Sequence, residues 1–169
     1  DYSFGANLQE IMQSGSDNPM ELIAKAITDL QDLTIRMKYS SKPVIAAPVG
    51  RALGGGTELI MAANAVVAHA ETYVGFVPAG GGCKELIRRK VNPVIEAGTD
   101  PHPPLRSVFE TIATARVGES AKQAKEIGFL ASDDQIVMNR SLLLGSAKQF
   151  AIAYAQTYQP KSVDDEPVY

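Results

Sequence analysis

Residues 54–56 are three glycines in a row, set between a short apolar run and the segment Thr57-Glu58-Leu59-Ile60. Upstream, Val44 to Ala47 is a brief β-branched stretch bounded by Pro43 and Pro48, the pattern of a buried strand. Downstream, Thr57 to Ala63 reads as a short helix and Ala65 to His69 as a second buried strand. A strand, a glycine turn, a helix and another strand within so few residues leave an α/β unit as the consistent solution. Glycines at such a turn permit backbone angles closed to other residues and admit close approach to the main chain. The helix that follows begins with N–H groups lacking internal acceptors and with a partial positive charge, so the turn suits an anion. For a lone triplet, a tight turn with close packing of helix on strand is the better explanation. A second triplet, Gly80-Gly81-Gly82, also precedes a helix-like segment.

The rest of the chain extends the pattern. Asn18-Pro19-Met20-Glu21 is a helix start with a cap, a first-turn proline and an acid. Ile23, Ala26, Ile27, Leu30, Leu33 and Met37 then recur at helical spacing, which predicts a long helix with one buried face ending near Tyr39-Ser40. Tyr73-Val74 reads as a third extended piece. Gly82 to Lys90, Leu105 to Ala115, Ser120 to Ile127 and Asn139 to Tyr158 read as helices, with a proline-rich loop, "VNPVIEAGTDPHPPL", in between. The opening "DYSFGANL" resembles the end of a strand without its lead-in. The chain is therefore expected to be a fragment, with a domain over 1–158 and a polar, acidic tail or linker over 159–169.

With 169 residues, 45% of them hydrophobic, the chain can bury a core. A net charge of −3 argues against nucleic acid as the main partner. The single cysteine, Cys83, excludes an internal disulfide and fits a reducing, cytoplasmic setting. Its place at a helix start could lower its pKa, although a buried small residue is the safer reading. No apolar run is long enough for a membrane span. His69 and His102 have no companions at ligand spacing, so no metal site is expected. Neither triplet is followed by Gly-Lys-Ser/Thr, and G-x-G-x-x-G is absent, which excludes the common nucleotide loops. An oxyanion of another kind remains, such as an enolate forming on a carbonyl.

The stretch "KPVIAAPVGRALGGGTELIMAANAVVAHAETY" resembles the core motif of the crotonase (enoyl-CoA hydratase/isomerase) superfamily. "FGANL" resembles the upstream oxyanion loop of that family, "PAGGGCKEL" its downstream glycine-rich helix start, and "SAKQAKEIGFL" its late helix. "RMKYSSKP", "PAGGGCKEL", "VFETIA" and "VMNR" look most like the hydratase part of long bacterial proteins that fuse a 3-hydroxyacyl-CoA dehydrogenase to a hydratase. The resemblance implies a spiral, ClpP/crotonase-like α/β core with a helical C-terminal part. It implies enoyl-CoA hydration in fatty-acid β-oxidation, with an acyl-CoA thioester as substrate and coenzyme A entering only as part of it. NAD would be needed only by a dehydrogenase domain elsewhere. Such domains commonly form trimers, so a homo-oligomer is expected.

By motif position, the thioester oxygen would accept from the N–H groups of Ala6 and Gly55, with Gly54, Gly56, Gly80 and Gly81 along the substrate. Glu58 matches a hydratase glutamate that activates the added water. Its alternative is a solvent-facing acid favoured by the helix dipole. Asn7 reads as structural. The family usually has a second glutamate about twenty residues after the first, to complete the acid–base pair. Counted from Glu58 that place is Pro78, and no acid stands between Glu71 and Glu85.

The segment is about seven residues shorter than the family pattern, in a place where a disordered loop would lie. Either half of the pair is lost, or the protein possesses residues absent from this sequence. Omission is the preferred reading, and it expects neighbouring Cα atoms between Tyr73 and Pro78 to lie farther apart than the usual ~3.8 Å. A true deletion would favour an acyl-CoA-binding or assembly module without turnover.

Overall fold

The computed structural model describes residues 1–5, 7, 9, 18–75 and 81–162. Helix α1 spans Pro19–Lys38, and Asn18 caps it by accepting from the Glu21 N–H. Strands β1 (Ile45–Ala46) and β2 (Arg51–Leu53) lead to helix α2 (Gly55–Ala62). Then follow β3 (Ala65–His69), β4 (Tyr73–Gly75), α3 (Gly82–Lys90), α4 (Asn92–Glu96) and α5 (His102–Ala113). The remainder is β5 (Val117–Gly118), α6 (Ala121–Ile127), β6 (Gln135–Val137), a 3-10 turn over Arg140–Leu142 and α7 (Leu143–Ala155).

Two small sheets carry these strands. In one, the order is β1-β3-β6 and every pair is parallel; in the other it is β2-β4-β5, with β2 and β4 parallel and β5 antiparallel. The N-terminal segment extends the second sheet by a parallel bridge between Ser3 and Ala52, as its strand-like reading implies. Parallel neighbours require crossovers. Helix α2 supplies one between β2 and β4 and packs its buried Ile60 and Met61 against Val66, Leu86 and Phe129 in the main core. A smaller core of Val67, Leu143 and Ala147 holds α7 to the first sheet.

Three local expectations change. The stretch after Val91 is not simply a loop, because Asn92–Glu96 forms a helical turn with Pro93 in its first turn. Helix α5 begins earlier than Leu105, since Pro103 and Pro104 fit a first turn that needs no N–H donors. The apolar stripe of α1 is not a buried face: Ile27 and Leu33 are exposed to 46% and 45%. Of the tail, residues 159–162 are irregular and 163–169 lie outside the described residues.

Two buried polar side chains tie the sheets to their neighbours. Thr57 is fully buried, with its hydroxyl 2.7 Å from the Ala52 carbonyl and 2.8 Å from that of Gly75, and it accepts from the Gly75 N–H. It therefore joins β2 to β4 beneath the first turn of α2. Asp134 accepts from the Val66 and Ala131 N–H groups, each at 2.7 Å. Burial pushes its carboxyl above the usual range, against the pull of those two amides and of Arg89. Asp134→Ala leaves two amides without their acceptor and is expected to cost about 2–4 kcal/mol in chemical denaturation. Thr57→Val, which keeps the shape and loses the hydroxyl, is expected to cost about 1–3 kcal/mol in the same measurement.

Candidate functional site

The three glycines of the first turn serve three different needs. Gly54 has φ of 57°, a left-handed value that opens the path from β2 into α2. Its N–H donates to the Gly75 carbonyl at 3.2 Å. At Gly56, a Cβ would stand 2.7 Å from the Ser3 Cβ, so only hydrogen fits against the N-terminal segment. Gly55 is half-buried at the first position of α2, where the amide has no acceptor within the helix. Gly5 lies against it: a Cβ on Gly5 would be 3.3 Å from the Gly55 nitrogen. "FGANL" and "ALGGGTEL" thus meet at these two glycines. Ala6 and Gly80 lie outside the described residues, as do residues 76–79, including the Pro78 position and the expected break after Gly75. Asn7 is exposed.

Glu58 is 2% exposed, which removes the solvent-facing alternative. Its Oε1 accepts from the Gly82 N–H at 3.1 Å, in the first turn of α3. A Cβ on Gly81 would lie 4.0 Å from the same oxygen. The second glycine run therefore delivers a helix N-terminus, and with it an N–H donor, to the acid of the first. Beside Glu58 lies a cavity of about 330 Å³, between α1, α2 and α3. Its walls include Ile35 and Lys38 of α1, Glu58 and Ala62 of α2, and Lys84 and Glu85 of α3.

Lys38 and Glu85 did not stand out in the sequence. They form a buried ion pair across this cavity, at 8% exposure each. Arg88 Nε donates to Glu85 Oε2 at 2.9 Å, its terminal nitrogen pairs with the same oxygen at 2.8 Å, and Arg89 stands 3.9 Å away. Burial raises the Glu85 carboxyl, but the hydrogen bonds and charges of Arg88 and Lys38 outweigh it and hold the group below its ordinary range. Arg89 also donates to the Met61 and Phe129 carbonyls, both at 2.9 Å, fastening α3 to the end of α2. The partners are far apart in sequence, so only the three-dimensional arrangement shows them.

Cys83 departs from both of its readings, the buried small residue and the thiol lowered by a helix start. It is half-buried, and burial followed by the Glu58 charge pushes its thiol up, more than its own backbone N–H lowers it. The helix start faces a carboxylate here, so its positive end does not act on the thiol alone. His69 is buried on β3, where its Nδ1 accepts from the Glu71 N–H at 3.4 Å. His102 is exposed at the start of α5. Among the described residues no cluster of metal-ligating side chains occurs, and no helix is long and apolar enough to cross a membrane.

Comparison with known proteins addresses the same segments. The family model for enoyl-CoA hydratase/isomerase matches residues 1–93, more than half of the chain. A probable 3-hydroxyacyl-CoA dehydrogenase of Bacillus subtilis (strain 168) is 39% identical over 163 residues, covering 92% of this chain and 20% of that protein. The 2,3-dehydroadipyl-CoA hydratase of Escherichia coli (strain K12) is 31% identical over 167 residues, covering 92% of this chain and 54% of the relative. The crystal structure of an enoyl-CoA hydratase from Bacillus anthracis aligns with a TM-score of 0.68 and 28% identity, over 90% of this chain and 53% of that one. The chain thus spans between 20% and 54% of the length of these proteins. The α/β architecture is the crotonase-like fold, and the chain belongs to the enoyl-CoA hydratase/isomerase family.

Proposed function

We propose that the Glu58 cavity is a hydration site for trans-2-enoyl-CoA, giving a 3-hydroxyacyl-CoA in fatty-acid β-oxidation. The observation that carries this reading is a buried carboxylate, held by a helix N-terminal amide, on the wall of a cavity between α1, α2 and α3. Hydration adds the oxygen of water to the β-carbon and a proton to the α-carbon. Glu58 removes the proton from water as the oxygen bonds the β-carbon. The electrons move onto the thioester, and its oxygen becomes an enolate. That oxygen accepts from the N–H groups of Gly55 and Ala6, and losing one such donor costs on the order of a hundredfold or more in rate. Gly80 and Gly81 are read as lying along the thioester, while Gly54 and Gly56 serve the site by letting the chain turn into α2 against the N-terminal segment.

The α-carbon then needs a proton, and Glu85 does not suit the task, because its cationic partners hold it ionised. In this reading Glu58 returns the proton that it took from water, which balances the reaction with one carboxylate. Coenzyme A enters as part of the substrate, and NAD only through a dehydrogenase domain outside this chain, a reading supported by the relative named a probable 3-hydroxyacyl-CoA dehydrogenase, of which this chain covers 20%. A cytoplasmic homo-oligomer completes the reading. Phe109 of α5 and Leu144 of α7, exposed to 69% and 75%, are surfaces that copies of the chain would cover.

A second reading keeps the acyl-CoA site without turnover, as a binding or assembly module. It is favoured by the lack of any acid between Glu71 and Glu85. Glu58→Gln separates the two. Hydration of crotonyl-CoA is expected to fall at least ~100-fold in kcat, with the thermal midpoint nearly unchanged. Turnover in the variant equal to the parent's would remove Glu58 from the chemistry, and no turnover in either would leave the binding module.

A further inference from the structure

Two carboxylates, Glu58 and Glu85, reach one cavity from facing helices, and one ammonium, that of Lys38, lines the same cavity. All three side chains belong to residues no more than 8% exposed. A buried ammonium must pair with a carboxylate, since an uncompensated charge there is costly. The main chain of Lys38 is fixed beside the cavity: its carbonyl accepts from Asn64 Nδ2 at 3.0 Å, and Asn64 Oδ1 in turn accepts from the Val44 N–H at 2.7 Å. What decides the pairing is the support behind Glu85. Arg88 holds its Oε2, so its Oε1 is aimed across the cavity at Lys38. Glu58 is instead engaged by the Gly82 amide.

We propose that Glu85 is a positioning residue whose ion pair with Lys38 keeps that ammonium off Glu58, leaving the Glu58 carboxylate able to take a proton from water. The inference rests on the hydration reading for its kinetic consequence, but its electrostatic part stands without it. A Lys38–Glu58 pair would occupy a carboxylate oxygen and hold the group ionised at the moment it must accept a proton. Among the described residues, the other ionisable groups that line this cavity or act beside Glu58 are Asp32 and Tyr39, on and at the end of α1, and Cys83 and Lys84 on α3. Asp32 and Lys84 are exposed, so water screens them more than it does the buried pair.

The test is a double-variant cycle of Glu85→Gln, Lys38→Met and the two together, read by kinetics and by carbon-13 NMR titration of the Glu58 carboxyl. Fixed charges alone would make Lys38→Met shift the Glu58 midpoint equally in both backgrounds. The proposal expects the shift to be small in the parent and about one pH unit or more, upward, in the Glu85→Gln background. With crotonyl-CoA, Glu85→Gln is expected to lower kcat at least ~10-fold with KM within ~3-fold, and to move the acid limb of the pH profile downward. Adding Lys38→Met is expected to restore most of the loss. Equal midpoint shifts in both backgrounds, or a double variant as slow as Glu85→Gln, would overturn the proposal.

If Glu85→Gln does not fold, Lys38→Met alone decides. A rise of about one pH unit in the Glu58 midpoint would show that Lys38 already acts on Glu58 and would overturn the proposal; little movement supports it. A parent protein that titrates as expected but hydrates nothing refutes the hydration reading and leaves the pairing intact.

Discussion

The Glu58 carboxylate and the Gly82 amide lie 3.1 Å apart, and that one bond joins segments 24 residues apart in the chain. It explains why two glycine runs occur. The first bends the chain from β2 into α2 so tightly that the acid is carried inward. The second begins α3 at the point where that acid needs a donor. A helix N-terminus supplies both an amide and a partial positive charge, which together make burial of the carboxylate tolerable. Thr57, next to Glu58, anchors the same turn to both β2 and β4. The position of the carboxylate is therefore inherited from the sheet rather than from its own side-chain freedom.

Among the described residues, three buried acids meet the cost of burial in three ways. Asp134 takes two backbone amides and becomes part of the framework. Glu85 takes cations from α1 and from its own helix and stays ionised. Glu58 takes a helix amide and faces a cavity. Of the three, Glu58 alone lines the cavity without a described cation bonded to its carboxylate. That difference, more than the presence of an acid after a glycine triplet, marks Glu58 as the group with chemistry to do.

Much of this was legible in the residues. Asn18 announced α1, Ser120 and Gly128 bracket α6 as cap and left-handed terminator, and the run Ala65–His69 is a strand as its β-branched pattern implies. Strands β2, β5 and β6 escaped because two or three residues carry no periodicity, and Ile136 in β6 is 37% exposed. Helical spacing in α1 indicated a stripe but could not say whether anything covers it. The triplet with its acid was readable as a site, since turn, helix start and charge are neighbours in sequence. The Lys38–Glu85 pair was not, because its partners are 47 residues apart and each alone reads as an ordinary surface charge. Cys83 misled for the same reason: its helix start is local, but the Glu58 charge that counteracts it arrives from elsewhere.

The central claim is that this cavity joins water to an enoyl thioester. The direct measurement is mass spectrometry of crotonyl-CoA after incubation with the chain in oxygen-18 water. The account predicts an intact CoA thioester heavier by one molecule of labelled water, with the oxygen on the β-carbon. Recovery of unchanged crotonyl-CoA, or release of free coenzyme A with the label in a carboxylate, would contradict it.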